Sequence, residues 1–334
     1  MKRGLSRSDP PVGGMSHALR RMVLIAAALV MVILSLSAAI RLTNAGLGCA
    51  DWPACYGREV LAATASVLPQ SAAAMVHRLA ATALAVVILV ILVLGLQAGR
   101  GRAVLGLLAL TVFLAFLGIY TPGARFPVVT LGNLLGGMAM LGMLLWLLLD
   151  LVARPVTPTS VPGLRRGARL GLIVLVMQIA LGGWVSANYA ALSCTDFPGC
   201  AGDGRLAAGM DEAVRLWRQL PGDATGTVIR EPAGAAIHMV HRIGALVAVM
   251  VLGWLSVRTW QLGAAFRALG LAIACLLVLQ VALGVAAVLT SLPLAVVLGH
   301  NAVAALLLLS VLVLNHWLTD RPQHYDRPGR ELPG

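Results

Sequence analysis

The sequence predicts an all-α integral membrane protein, with eight transmembrane helices arranged as two parallel-repeat four-helix bundles of pseudo-twofold symmetry. Three observations lead there: the composition, the length of the apolar runs, and the return of the same motifs in the same order. Of 334 residues, 59% are hydrophobic and 11% charged, whereas a soluble domain has about 45–50% apolar and about 25% charged residues. Too few polar side chains are present to face water, so lipid is the expected solvent. A cytoplasmic globular enzyme, a secreted disulfide scaffold and a disordered tail are excluded on the same ground.

A helix needs about 20 mostly apolar residues to cross the hydrocarbon core. Such runs occupy Met22–Ile40, Ala72–Leu96, Ala103–Tyr120, Val128–Leu151, Leu170–Ala190, Ala233–Leu255, Ala268–Thr290 and Leu292–Trp317. The first is too long for a signal peptide and lacks a small-residue cleavage site. It is followed by LGCADWPAC (Leu47–Cys55), as the fifth is followed by LSCTDFPGC (Leu192–Cys200). The second span opens Met-Val-His77-Arg78 and the sixth Met-Val-His241-Arg242. The third and seventh carry Leu-Gly at Gly118 and Gly284, each with a proline nine residues on, Pro127 and Pro293. The fourth and eighth carry Leu-Gly-Asn133 and Leu-Gly-His300. The expected organisation is therefore a tail (1–21), a first half (22–151), a Pro-rich linker (152–169), a second half (170–317) and a tail (318–334). Both halves start on the same side, which makes the repeat a parallel one.

Charge sets the sides. Sixteen of the 25 basic residues lie on the side of the termini, seven lie opposite, and Arg78 and Arg242 stand at span starts. By the positive-inside rule both termini are cytoplasmic. The net charge of +12 is then a record of topology, and nucleic acid is not an expected partner. Cys49, Cys55, Cys194 and Cys200 fall on the opposite, oxidising side. They read as two short-range disulfides, with free thiols or a zinc site as the alternatives. Cys275, in mid-span, reads as a small packing residue.

His77, His238, His241 and His300 lie within spans, where an ionisable side chain marks function by default. His17, His316 and His324 read as edge or tail residues that touch solvent or headgroups. His77, His241 and His300 lie at similar depth near the outer ends of their helices. Two histidines facing across a bundle suit axial ligation of a heme iron, and Arg78 and Arg242 suit its propionates. An interhelical hydrogen bond and a snorkelling arginine are the plainer alternatives. Gln178 and Gln280 recur in Gln-x-x-Leu-Gly and read either as interhelical hydrogen bonders or as partners of a ligand histidine or propionate. Gly136-Gly137 and Gly182-Gly183 read as close-packing points. Ala207–Leu220 reads as an amphipathic stretch lying on the membrane over the second half.

The cysteine loop Leu47–Gly57, the Met-Val-His-Arg starts, Leu-Gly-Gly-Trp-Val-Ser at Leu181–Ser186, the Asn188–Cys200 stretch and Leu292–Asn301 resemble the heme A synthase family. The likeness runs from about residue 22 to 317. It implies eight helices in two pseudo-twofold halves, with heme b as cofactor between His241 and His300. It implies a heme o substrate in the first half, beside His77, Arg78 and Asn133, whose C8 methyl is oxidised to a formyl group for cytochrome oxidase. The paired outer cysteines belong to the same pattern, and a bacterial inner membrane is the expected location. Heme o synthase and cytochrome oxidase assembly proteins are the partners it implies. The sequence departs from that pattern at two places. Asn133 stands where the family has a second histidine, and Ala74 stands three residues before His77 where it has a glutamate. His238 occupies the place equivalent to Ala74 and reads as a propionate or proton-relay residue, or as a polar cap. Either the substrate iron is held by His77 alone with one face open, or the first half has lost catalysis and the chain is a heme b-binding assembly factor or electron-transfer cytochrome.

Overall fold

The computed structural model describes residues 12–42, 68–120, 126–152, 162–194, 196, 197, 199, 200, 209–220 and 233–319. Eight long helices account for nearly all of this: α1 (Val12–Leu42), α2 (Leu68–Gln97), α3 (Gly101–Tyr120), α4 (Pro127–Asp150), α5 (Pro162–Ala187), α6 (Ala233–Trp260), α7 (Ala264–Leu289) and α8 (Leu294–Trp317). Each is long and apolar enough to cross a membrane. The protein is an all-helical, multi-pass membrane protein. Cys49, Cys55 and His324 lie outside the described residues.

Local chemistry explains where the helices begin and end. Phe126 is extended (φ −109°, ψ 97°), as a residue before proline must be, and Pro127 then starts α4 where its missing N–H costs nothing. Gly99 (φ 70°) turns the chain from α2 into α3. α1 and α5 each start several residues before the apolar run, because a helix continues into water after the run has ended. α5 stops at Ala187, three residues short of the expected boundary. There Tyr189 takes a left-handed conformation (φ 51°) and leads into the single 3₁₀ turn Ala190–Leu192.

The helices keep the same neighbours in each group of four. α1 packs on α2 and α4, and α3 packs on α2 and α4; α5 packs on α6 and α8, and α7 packs on α6 and α8. The groups meet through α4 on α5, α1 on α8 and α4 on α8. Hence α2 and α4 are diagonal partners in one group, and α6 and α8 in the other. A continuous apolar core fills the end of the bundle nearer the termini, where Leu144, Leu147, Leu252, Leu255, Leu307 and Val311 are almost wholly buried.

That end also holds a polar cluster that the sequence did not announce. His316, expected at the solvent or headgroup edge, is completely buried. Its Nε2 lies 2.9 Å from Asp150 Oδ1, and its ring stands edge-on to Trp146 at 4.9 Å. Arg100 donates to the Asp150 carbonyl at 3.2 Å and pairs with its carboxylate at 3.7 Å. The ends of α4 and α8 thus close over the histidine. Cys275 corrects the other way: it is exposed on α7 and packs into no core.

Candidate functional site

The opposite end of the second group is built differently. On α6 no residue between His238 and Ala248 is buried, and on α8 none is buried before Val303. These turns carry His241 and His300 on diagonal helices, within electrostatic reach of each other. The flanking helices, α5 and α7, supply a matched grip. Gln178 Nε2 lies 3.0 Å from His241 Nδ1 and also donates to the His241 carbonyl at 3.0 Å. Gln280 Nε2 lies 3.0 Å from His300 Nε2. One turn along each helix, a Cβ on Gly182 would stand 3.0 Å from His241 Cε1, and one on Gly284 would stand 3.1 Å from His300 Cε1. Both readings of the glutamines therefore hold together: they are interhelical hydrogen bonds, and their partners are the two histidines. Gly182 is part of the site. Gly136, Gly137 and Gly183 approach only leucines, as close-packing glycines should.

The donor set suits a heme iron. His241 and His300, on diagonal helices, would hold a heme iron by their imidazoles, the porphyrin nitrogens supplying the rest of the coordination. His300 Nδ1 is buried with no hydrogen-bond partner, a costly state for a polar atom that coordination would relieve. No cluster of three or more His, Cys, Asp or Glu side chains forms among the described residues.

A loop covers this end. Cys194 and Cys200 are disulfide-bonded, which settles that pair against free thiols or zinc. Arg242 donates to the carbonyls of Cys194 at 2.8 Å and Asp196 at 2.7 Å, and to that of Gly199. Its guanidinium lies 5.8 Å from the centre of the Phe197 ring. Arg242 therefore ties the residue after His241 to the disulfide loop. His238 is buried and bonds the Ala190 carbonyl, the polar-cap arrangement, while its Nδ1 has no partner.

The stretch Ala207–Leu220 differs from expectation. Among the described residues only Met210–Ala213 is helical. The Trp184 indole N–H donates to the Ala213 carbonyl at 2.9 Å, and Arg218 bonds Asn188. These contacts draw Ala213, Arg218 and Leu220 inward, a spacing no amphipathic helix provides. Val214, Leu216 and Trp217 are left facing out.

The first group places His77 on α2 and Asn133 on its diagonal partner α4. Arg41 and Arg78 both lie within electrostatic reach of His77. Arg41 was not singled out in the sequence. It donates to Ser37 at 2.7 Å and to Ser186 of α5 at 3.1 Å, 145 residues away, the spacing at which the two cysteine loops recur. That recurrence was the available signal: Arg41 stands in the first group where Ser186 stands in the second. Burial pushes the Tyr189 phenol up from its ordinary value, and the charge of Arg41 pulls it back. The grip seen in the second group is missing here. Leu114 stands in the place of Gln280, and a Cβ on Gly118, the counterpart of Gly284, would meet nothing within 4 Å.

The fold and site define a multi-pass membrane protein that presents two histidines across one four-helix group. Residues 20–312 match the family described as Cytochrome oxidase assembly protein, COX15-CtaA. The chain is 34% identical over 317 residues to the Heme A synthase of Shewanella oneidensis, covering 89% of this chain and 96% of that protein. It is 26% identical over 354 residues to the Heme A synthase of Rhizorhabdus wittichii, covering 92% and 95%. The chain belongs to the COX15-CtaA family of cytochrome oxidase assembly proteins.

Proposed function

We propose that this protein acts in heme A biosynthesis as a heme A synthase-type membrane oxidoreductase. Its substrate is heme o, and the reaction oxidises the C8 methyl to a formyl group. His241 and His300 hold a heme b cofactor, and His77, Arg78 and Asn133 line the substrate pocket. The observation that carries this reading is the paired grip on His241 and His300 by Gln178 and Gln280; the names of the relatives point to heme A as the product. When bound, heme b supplies one-electron transfer. The polypeptide orients the two imidazoles, leaves room for the macrocycle beside turns that bury no side chain, and closes the loop end with the Cys194–Cys200 loop. In the first group Arg41 and Arg78 offer positive charge near His77 to the substrate's carboxylates. The reading places the chain in a bacterial inner membrane with both termini cytoplasmic, receiving its substrate from heme o synthase.

One observation favours a second reading. The first group has Asn133 in the place of a ligand histidine and Leu114 in the place of a glutamine, so the protein would bind heme b in the second group and act as an assembly factor without converting heme o. One experiment decides between them. The protein is purified from a host that makes heme o but lacks its own synthase, and its hemes are extracted. Heme A or a hydroxylated intermediate is expected; heme b with no conversion establishes the second reading. His241→Ala and His300→Ala should each abolish a low-spin bis-histidine spectrum, and a retained spectrum removes the ligand assignment from both readings.

A further inference from the structure

We propose that Gln178 and Gln280 are the positioning residues of the two heme-ligand histidines, and that their neutral amides set the reduction potential of the heme. The inference rests on His241 and His300 as heme ligands and adds a role for two residues on helices that carry no ligand. A primary amide inside a span is unfavourable unless it is bonded, and each of these is bonded to a histidine ring. Each helix touches its ring twice, through the amide and through the glycine four residues on. A ring held at two points by one rigid helix has little freedom to rotate. In the first group Leu114 stands in the place of Gln280 and Ile33, at the 145-residue spacing of the cysteine loops, in the place of Gln178, so both glutamines belong to the group that carries both His241 and His300.

The amide can serve a ring in either protonation pattern. An imidazole that gives one nitrogen to iron carries its proton on the other, and that N–H needs an acceptor. Rotating an amide by half a turn exchanges its oxygen for its nitrogen. Gln178 Oε1 and Gln280 Oε1 are both buried with no partner; Gln280 holds an unused acceptor beside its ring, whereas at Gln178 the half-turn gives up the bond to the His241 carbonyl. Gly244 keeps the place of Gln178 Oε1 open, since a Cβ there would collide with it. The two grips use different nitrogens, Nδ1 of His241 and Nε2 of His300, so each ring keeps one nitrogen that its amide does not engage. A neutral acceptor draws less proton density from the ring than a carboxylate does. The ligand stays an imidazole and does not take on imidazolate charge, which favours the reduced heme.

The test compares Gln280→Leu and Gln280→Glu, and the same pair at Gln178, with the unaltered full-length protein. Heme content, low-spin electron paramagnetic resonance and the midpoint potential are measured in detergent. Loss of the acceptor weakens the ligand, and a carboxylate strengthens it, so the potentials should fall in the order Leu, Gln, Glu from high to low. A tenfold change in the oxidised-to-reduced ratio between neighbours corresponds to about 59 mV for one electron. Should a Leu variant fail to fold, Gln→Met, of similar length, replaces it. Faster loss of heme from a folded Leu or Met variant, by roughly 10–100-fold, also supports the role. Stoichiometric heme with unchanged resonance and potential in the Leu, Met and Glu variants overturns it. If the unaltered protein itself binds no bis-histidine heme, the proposed function fails and not this inference alone.

Discussion

Replacing Gly284 by alanine, with Gly118→Ala as its matched control, tests the site by one methyl group. The two glycines occupy the same place in α7 and α3, so the change in backbone propensity is the same in both. Alanine is favoured over glycine within a helix by about 0.5–1 kcal/mol. At Gly118 the new methyl meets nothing within 4 Å, so the variant should be unchanged or slightly more stable. At Gly284 it would lie 3.1 Å from His300 Cε1, well inside the ~3.5–4.0 Å optimum for carbon pairs. The ring or helix must then yield by a few tenths of an ångström, at an overpacking cost of about 1–3 kcal/mol. The two variants should therefore differ by about 1–3 kcal/mol, since the propensity gain is common to both. Because a ligand must be held to about 0.5 Å, Gly284→Ala should also lose heme, which Gly118→Ala should not. The assay is denaturant unfolding in detergent micelles followed by tryptophan fluorescence, with heme quantified on the same samples. Equal stability and equal heme content in the two variants would refute the placement of His300 against α7.

Two further expectations concern the ends of the bundle. Cys194→Ser opens a loop of sequence separation 6, for which chain entropy gives about 2 kcal/mol, and it frees the carbonyls that Arg242 holds; a mutant as stable as the parent under non-reducing conditions would count against this account. At the other end, Asp150→Leu removes the acceptor of the fully buried His316 and should cost about 1–3 kcal/mol, whereas Asp150→Asn keeps a side-chain oxygen and should retain much of the stability. Equal losses for Leu and Asn in denaturant unfolding would show that the hydrogen bond is not what matters there.

What the sequence revealed and what it hid divide along a physical line. Spans are legible because hydrocarbon thickness fixes their length, and His77, His241 and His300 stand out because ionisable groups are rare in such helices. The role of Gln178 was open because a buried amide in a membrane helix has many partners within reach, and only the crossing of α5 with α6 selects His241. His316 was misplaced for a related reason. It lies at the end of an apolar run, where lipid headgroups are the default neighbours, yet Asp150 ends α4 beside it and Trp146 covers its ring. Arg41 sits at a span boundary, where an arginine ordinarily snorkels to the surface, but the packed groups bring Ser186 to it. In each case the residue type was visible and the partner was not, since the partner lies on another helix. The first group shows why that matters for function. Asn133 alone is an ambiguous substitution. Together with Leu114 in the place of Gln280, Ile33 in the place of Gln178 and open space at Gly118, it marks a first group that lacks the glutamine grip on both sides, while His77 and its neighbouring arginines are present. A retained histidine flanked by Arg41 and Arg78, with no imidazole in the place opposite, is the arrangement in which a heme bound there would keep one face open, so extraction of hemes from the purified protein is what separates the two readings of the first group.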